Sequence, residues 1–341
     1  MTESTLHTFI QGLPMAELHL HIEGSFEPGL MFEIAARNNI RIPYADVEAV
    51  KKAYQFNNLQ EFLDIYYAGA GVLIHERDFY DLTWAYLSRV RSENVVHTEI
   101  FFDPQTHTDR GVAFETVING IHSALEDGRE KLGISYRLIM SFLRHLDEAS
   151  AFDTLHTALP HRQRIHGVGL DSSELGNPPS KFQRVFAKAR EEGFAVVAHA
   201  GEEGPADYIH EALDLLQICR LDHGNRAMED SALLKKLAQM AMPLTLCPLS
   251  NKELKVVPDL KDHPVREMMN RDLLVTINSD DPAYFGGYMN ANFLGVAEAL
   301  DLTKAELITL AKNSFRASWL DEADKIRWMA EIDRYAAQNH F

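Results

Sequence analysis

Cysteine is almost absent from this chain: Cys219 and Cys247 are the two in 341 residues. They are too few and too isolated for a disulfide framework or a Cys-rich zinc module, which fits a reducing compartment. Long apolar runs are missing as well. Nowhere do about eighteen apolar residues follow one another as a spanning helix requires, and Met1 to Leu13 lacks the basic start and apolar stretch of a secretory leader. Basic charge is in deficit, with 33 Lys+Arg against 50 Asp+Glu and a formal charge of -17. Such a field repels the phosphates of nucleic acid and of an anionic bilayer. A soluble cytoplasmic protein with neither nucleic acid nor membrane as partner is expected. Linkers rich in Pro, Gly or Ser, charge blocks and internal repeats are also lacking, so residues 1–341 read as a single domain.

What the chain does contain is alternation. Eight short runs rich in Val, Ile, Leu and Thr occur at Ala16–His21, Asn94–Phe101, Ser135–Phe142, Ile165–Leu170, Phe194–Ala198, Cys219–Asp222, Met242–Leu246 and Leu273–Asn278. Between them lie amphipathic segments such as Phe79–Arg91, Val112–Lys131, Lys181–Glu192, Ser231–Gln239 and Val265–Arg271. Strand and helix alternating eight times predicts a (β/α)8 TIM barrel of the α/β class. Glu27–Gly71 adds helical material after the first strand, suited to a cap over the barrel mouth, and Thr303–Asn339 adds one or two helices at the end.

Barrel enzymes place their chemistry at the C-terminal ends of strands, and the polar exceptions fall there: His19 and His21, Asp171 to Glu174, His199 and Glu202, His223, and Ser279 to Asp281. His19 and His21, two apart on a strand, share a face and can bind one ion. Alone, that pair is equally well explained as structural. His199 ends the fifth run, and Asp280 with Asp281 ends the eighth, where adjacent carboxylates repel unless a cation intervenes. A closed barrel brings the first, fifth and eighth strand ends to one mouth, which makes His19, His21, His199 and Asp280 a candidate ligand set for one ion per chain. Imidazole and carboxylate suit Zn2+, while Fe2+, Co2+ and Mn2+ remain compatible with the same donors. A metal there makes hydroxide available near neutral pH, with no reactive Ser or Cys.

Glu202, three residues beyond His199, is placed to serve as a general acid if burial holds it protonated. His223 can orient the attacking water or assist its proton transfers; the ordinary alternative is a structural histidine bonded to Asp222. Asp281 can donate to, or accept from, a ring nitrogen of a substrate, or simply cap a helix.

The runs AELHLHIEGS, AHAGEEG, LDHG, CPLSN and NSDDP, in that order over residues 16 to 287, resemble the blocks of the adenosine/adenine deaminase family of metal-dependent hydrolases. The likeness is nearer to the adenine-acting branch. Glu23 stands where adenosine-specific members carry Asp near the ribose, Asp222 stands where they carry Gly, and Gly169–Glu174 with Asn177-Pro178-Pro179 and Phe56–Phe62 follow the adenine pattern.

The resemblance implies zinc on His19, His21, His199 and Asp280, and Glu202 as proton donor to purine N1. It further implies that His223 positions the hydroxide and Asp281 binds the base, with Glu23 and Ser173 at the substrate. The expected reaction is adenine to hypoxanthine and ammonia, in purine salvage. Adenosine, an N6-modified adenine, or a catalytically silent purine-binding barrel are the alternatives.

Overall fold

The computed structural model describes residues 3–339. All eight expected strands form, each within two residues of its sequence range: β1 Met15–His21, β2 Val95–Phe102, β3 Ser135–Leu143, β4 Gly167–Asp171, β5 Ala195–Ala200, β6 Arg220–His223, β7 Pro243–Leu246 and β8 Leu274–Ile277. They pair in parallel in sequence order. β8 returns to β1 through a parallel bridge between Leu20 and Asp280. There His21 N donates to Asp280 O at 3.0 Å, and Asp280 N donates to His19 O at 3.1 Å. These closing bonds are made by the same residues that carry the candidate ligands, so the metal site and the seam of the barrel are one structure.

Apolar side chains form two layers because every strand is buried on both faces. The larger layer lies between strands and surrounding helices, while Phe101, Ile139 and Val197 fill the barrel interior against Trp319. No helix among the described residues is long and apolar enough to cross a membrane.

The expected cap is present. After α1 (Glu3–Gly12) and β1, the chain forms α2 (Pro28–Arg37), α3 (Val47–Ala53) and α4 (Leu59–Ala70) before α5 (Glu76–Arg91) resumes the barrel. Asp46 and Asn58 side chains cap α3 and α4 by accepting from Ala49 N and Glu61 N. On α4 the apolar spacing Leu59, Phe62, Leu63, Tyr66 makes one buried stripe. That stripe packs with Phe56, Leu254, Tyr284 and Phe285 in a core of its own, above the strand ends. The C-terminal extension is two helices, Lys304–Ala317 and Glu322–Gln338. Lys181–Glu192, read as one helix, opens instead with a 3-10 turn at Pro179–Phe182, set by Pro178 and Pro179, before the α-helix Gln183–Glu191.

Candidate active site

The first strand reaches the site through a bulge. Glu17 opposes Thr98 but Leu20 opposes Ile100, one residue more on β1 than on β2. Glu17 therefore turns toward the helical layer, where Tyr86 on α5 donates to its Oε2 at 2.6 Å. His19 and His21 turn into the barrel. Strict alternation would have put Glu17 on their face.

Inside, His21 Nε2 lies 3.1 Å from His199 Nε2, and Asp280 Oδ1 lies 3.1 Å from His19 Nε2 and 3.5 Å from His21 Nε2. One ligand atom from each of His19, His21, His199 and Asp280 falls within 4.8 Å of all the others, and all four residues are buried. His19 Nε2 has no hydrogen-bond partner despite its nearness to Asp280. Thr245 explains why: its hydroxyl donates to Asp222 Oδ1 at 3.0 Å, so its oxygen accepts from His19 Nδ1–H at 2.9 Å. The Nε2 lone pair is thereby left facing inward, as for an atom aimed at a third body. Asp222 Oδ2 also approaches His199 Nδ1 at 3.7 Å, and Asp171 Oδ2 approaches His21 Nδ1 at 3.5 Å.

The electrostatics agree. Burial holds the imidazoles of His21 and His199 below the usual range, that of His199 far below, so both are neutral with lone pairs available. Burial would raise the Asp280 carboxyl, but His19 and His223 beside it outweigh burial and hold it far below the usual carboxylate range. Neutral imidazoles with one ionised carboxylate fit a divalent cation. Cys247 also comes within reach of His19, His223 and Asp280. Its thiol is pushed up by burial and by Asp280.

Around this set lie carboxyls in the opposite state. Burial, then Asp280 and Glu174, push Glu202 well above its ordinary value, and burial with Asp280 and Asp103 does the same for Asp281. Both are thereby pushed toward the protonated, donating form, because neighbouring like charges in a buried site resist ionising together. His223, in left-handed backbone at φ 63°, places Nε2 3.6 Å from Glu202 Oε2 and 3.8 Å from Asp280 Oδ2. Burial lowers its imidazole to about 3, so it is a neutral proton acceptor.

These groups line a half-open cavity of about 380 Å³ under α4, with Leu59, Phe62, Leu63, Tyr66 and Tyr67 as its roof. Two sequence assignments fall elsewhere. Ser173 is not on the cavity: its Oγ donates to Gln60 Oε1 on the outer side of α4 at 2.9 Å. Ser172 takes the inner place, since its φ of 76° reverses the expected side-chain direction, and its hydroxyl bridges Tyr67 OH and His145 Nδ1, each at 2.8 Å. Glu23 lies behind the cavity wall, where its Oε1 accepts from His107 Nε2 at 2.8 Å and from Asp103 N at 3.2 Å.

Asp103 was missed, although it follows β2 as Asp171 ends β4. Tyr66 OH donates to its Oδ2 at 3.2 Å, and burial with Glu23 raises its carboxyl to about 8.

Residues 14–335 match the family model described as Adenosine deaminase. An adenine deaminase of Acinetobacter baylyi is 63% identical over 325 residues, covering 95% of this chain and 98% of that protein. One from Sphingopyxis alaskensis is 61% identical over 328 residues, covering 96% of each. The crystal structure of adenine deaminase from Arthrobacter aurescens gives a TM-score of 0.94 at 49% identity, over 96% of this chain and 100% of that one. An amidohydrolase of Burkholderia ambifaria, solved with bound zinc, gives 0.90 at 26% identity over 98% and 95%.

Proposed function

The chain belongs to the adenosine deaminase family, and from that premise we propose that it hydrolyses the exocyclic C–N bond of free adenine, giving hypoxanthine and ammonia. The observation that carries the reading is the pairing of two sets at one cavity: three inward imidazoles with Asp280, and beside them the buried carboxyls of Glu202 and Asp281, which burial and Asp280 push toward the donating form. The first set suits water activation and the second suits a heterocycle rich in nitrogen lone pairs. A nucleophile for an ester or a phosphate would not need two neutral carboxyls facing it.

His19, His21, His199 and Asp280 would hold zinc, the ion bound in the Burkholderia ambifaria relative. When bound, such an ion supplies hydroxide near neutral pH by lowering the pKa of water from about 15.7 toward 7. Glu202 gives its carboxyl proton to purine N1, which removes electron density from C6 as the water oxygen adds there. Of the two protons that this oxygen sheds on becoming the C6 carbonyl, His223 Nε2, neutral and beside Glu202, carries one to the amino group, and the other restores the Glu202 carboxyl. The C6–N bond then breaks, ammonia departs, and N1 keeps the proton it received, so adenine and water become hypoxanthine and ammonia. Asp281 donates to a further ring nitrogen and fixes the plane of the base.

Selection of the base over its nucleoside is assigned to the narrowing of the cavity: the Tyr67–Ser172–His145 bridge and the aromatic roof of α4 stand over it, an arrangement that favours a bare purine over one carrying a ribose. Steady-state rates on adenine and adenosine, with protein of known metal content, test this. Adenine is expected to be turned over with kcat/KM at least about 100-fold higher, a discrimination within reach of a shape-limited pocket. Equal or faster turnover of adenosine refutes the base-specific reading. Purine salvage in the cytoplasm is the setting this activity fits.

A further inference from the structure

We propose that Glu174 is the positioning residue for the proton donor: its carboxylate gathers the backbone of Gly201–Gly204 and thereby fixes where Glu202 points. The inference rests on the reading of Glu202 as donor to the purine ring. Glu174 is buried, and its Oε1 accepts from Gly201 N at 2.6 Å. Its Oε2 accepts from Glu202 N at 3.1 Å, Glu203 N at 2.8 Å and Gly204 N at 2.8 Å.

Four consecutive N–H groups thus converge on one side chain. They belong to no helix, since the next one runs Ala206–Glu211. Nothing else within the segment satisfies them, and buried N–H groups are rarely left orphaned.

The glycines on either side fit the same loop: a Cβ on Gly201, which is in left-handed backbone at φ 69°, would meet Ile209, and one on Gly204 would lie 2.6 Å from Oε1 of Glu174 itself. The HAGEEG run is therefore a loop shaped around a carboxylate contributed by the end of another strand. Its outer side is held too. Arg226 N donates to Gly201 O at 2.8 Å, and Glu203 Oε1 accepts from Leu59 N, the first residue of α4, at 3.2 Å. With the backbone pinned on both sides, the Glu202 side chain has one direction left, into the cavity beside His223.

Glu174→Gln tests the role, because the amide matches the carboxylate in size but presents N–H groups to N–H groups. With metal-loaded protein, kcat on adenine is expected to fall about 100-fold, the cost of an ångström-scale misplacement. KM should stay within about 3-fold and metal content should be unchanged, since neither the ligands nor the base-binding wall is altered. Hydrogen exchange of the peptide covering residues 200–205 should accelerate.

A kcat within about 3-fold of wild type, in protein whose Glu202→Gln counterpart is inactive, overturns this inference alone. Metal loss in proportion to kcat overturns it as well, by placing the effect on His199. Full turnover by Glu202→Gln removes the donor reading itself. Should Glu174→Gln fail to fold, Gly204→Ala keeps the carboxylate and crowds it, and must show the same drop in kcat at constant KM; an unchanged kcat there overturns the proposal.

Discussion

Two buried polar clusters occupy the interior of one barrel, at opposite ends of its strands. Toward the N-terminal end, His97 and Glu99 on β2 meet Arg220 and Asp222 on β6. His97 is held between Ser135 Oγ at 2.8 Å and Glu99 Oε1 at 3.2 Å, while Arg220 binds Glu99 and, through Nε, Asp222 Oδ1 at 3.3 Å. Trp319 closes that end, its N donating to Glu99 Oε1 at 2.5 Å and its ring 4.9 Å from the guanidinium. Burial would raise the Glu99 carboxyl, but Arg220 holds it below the usual range, and both groups stay ionised. At the other end, His19 Nε2, His199 Nδ1, both Asp171 oxygens and Asp281 Oδ1 have no hydrogen-bond partner among the described residues.

Burial is the same at both ends; charge pairing differs, since the Arg220 guanidinium is matched to Glu99 and Asp222 although its Nη2 makes no hydrogen bond. A cluster whose charges neutralise one another holds the barrel together, whereas a cluster whose lone pairs and protons converge on a shared cavity is built to bind. Asp222 belongs to both, taking Arg220 on one side and orienting His19, through Thr245, on the other.

The division can be broken from either end. The largest effect is expected at the open end: Glu202→Gln should cut kcat on adenine by about 100-fold to 10,000-fold, the range for a general acid, with metal content intact by elemental analysis. Retained turnover would return Glu202 to the structural class. At the closed end, Arg220→Met removes the cation between two buried carboxylates and should lower unfolding free energy by about 3–5 kcal/mol in urea titrations. KM for adenine on the protein that remains folded should not change; a large shift in KM would show that the two ends are not separable.

The shared residue should show a mixed effect. Asp222→Asn is expected to weaken metal affinity about 10–100-fold in chelator competition, as loss of an orienting carboxylate does, and to lower the melting temperature as well.

A surface ion pair gives the baseline. Glu306 accepts from Arg266 Nε at 2.8 Å and from Thr303, which depress its carboxyl to about 2. A carboxylate depressed in the fold stabilises above its unfolded pKa, so its contribution is complete above about pH 4.3 and is lost as pH falls toward 2. Because the pair is solvent-screened, Glu306→Gln should flatten that acid limb by at most about 1 kcal/mol.

Much of this was readable along the chain, for identifiable reasons. The strands are runs buried on both faces, which stand out as continuous apolar stretches, and their polar ends stand out by contrast. Hence His19, His21, His199, Glu202, His223, Asp280 and Asp281, named from their positions, all meet at the cavity. Ser172 lines the cavity and Ser173 does not, because direction depends on the local φ, and a positive φ at Ser172 has no reliable signature in a serine dipeptide. Glu17 left the face of His19 and His21 through a bulge, which alternation cannot foresee. Asp103 had a signal, a carboxylate between an apolar run and Pro104. Thr245, Arg220 and Glu99 had none, since their partners lie across the barrel.

The chain by itself thus determined the number and order of strands, the positions where chemistry had to sit, and the donor types gathered there. These follow from local hydrophobicity and residue chemistry, which are properties of neighbours in sequence. Tertiary structure alone decided which buried charges were satisfied and which were left open, because a hydrogen-bond partner 226 residues away, as Thr245 is from His19, exists only once the barrel has closed.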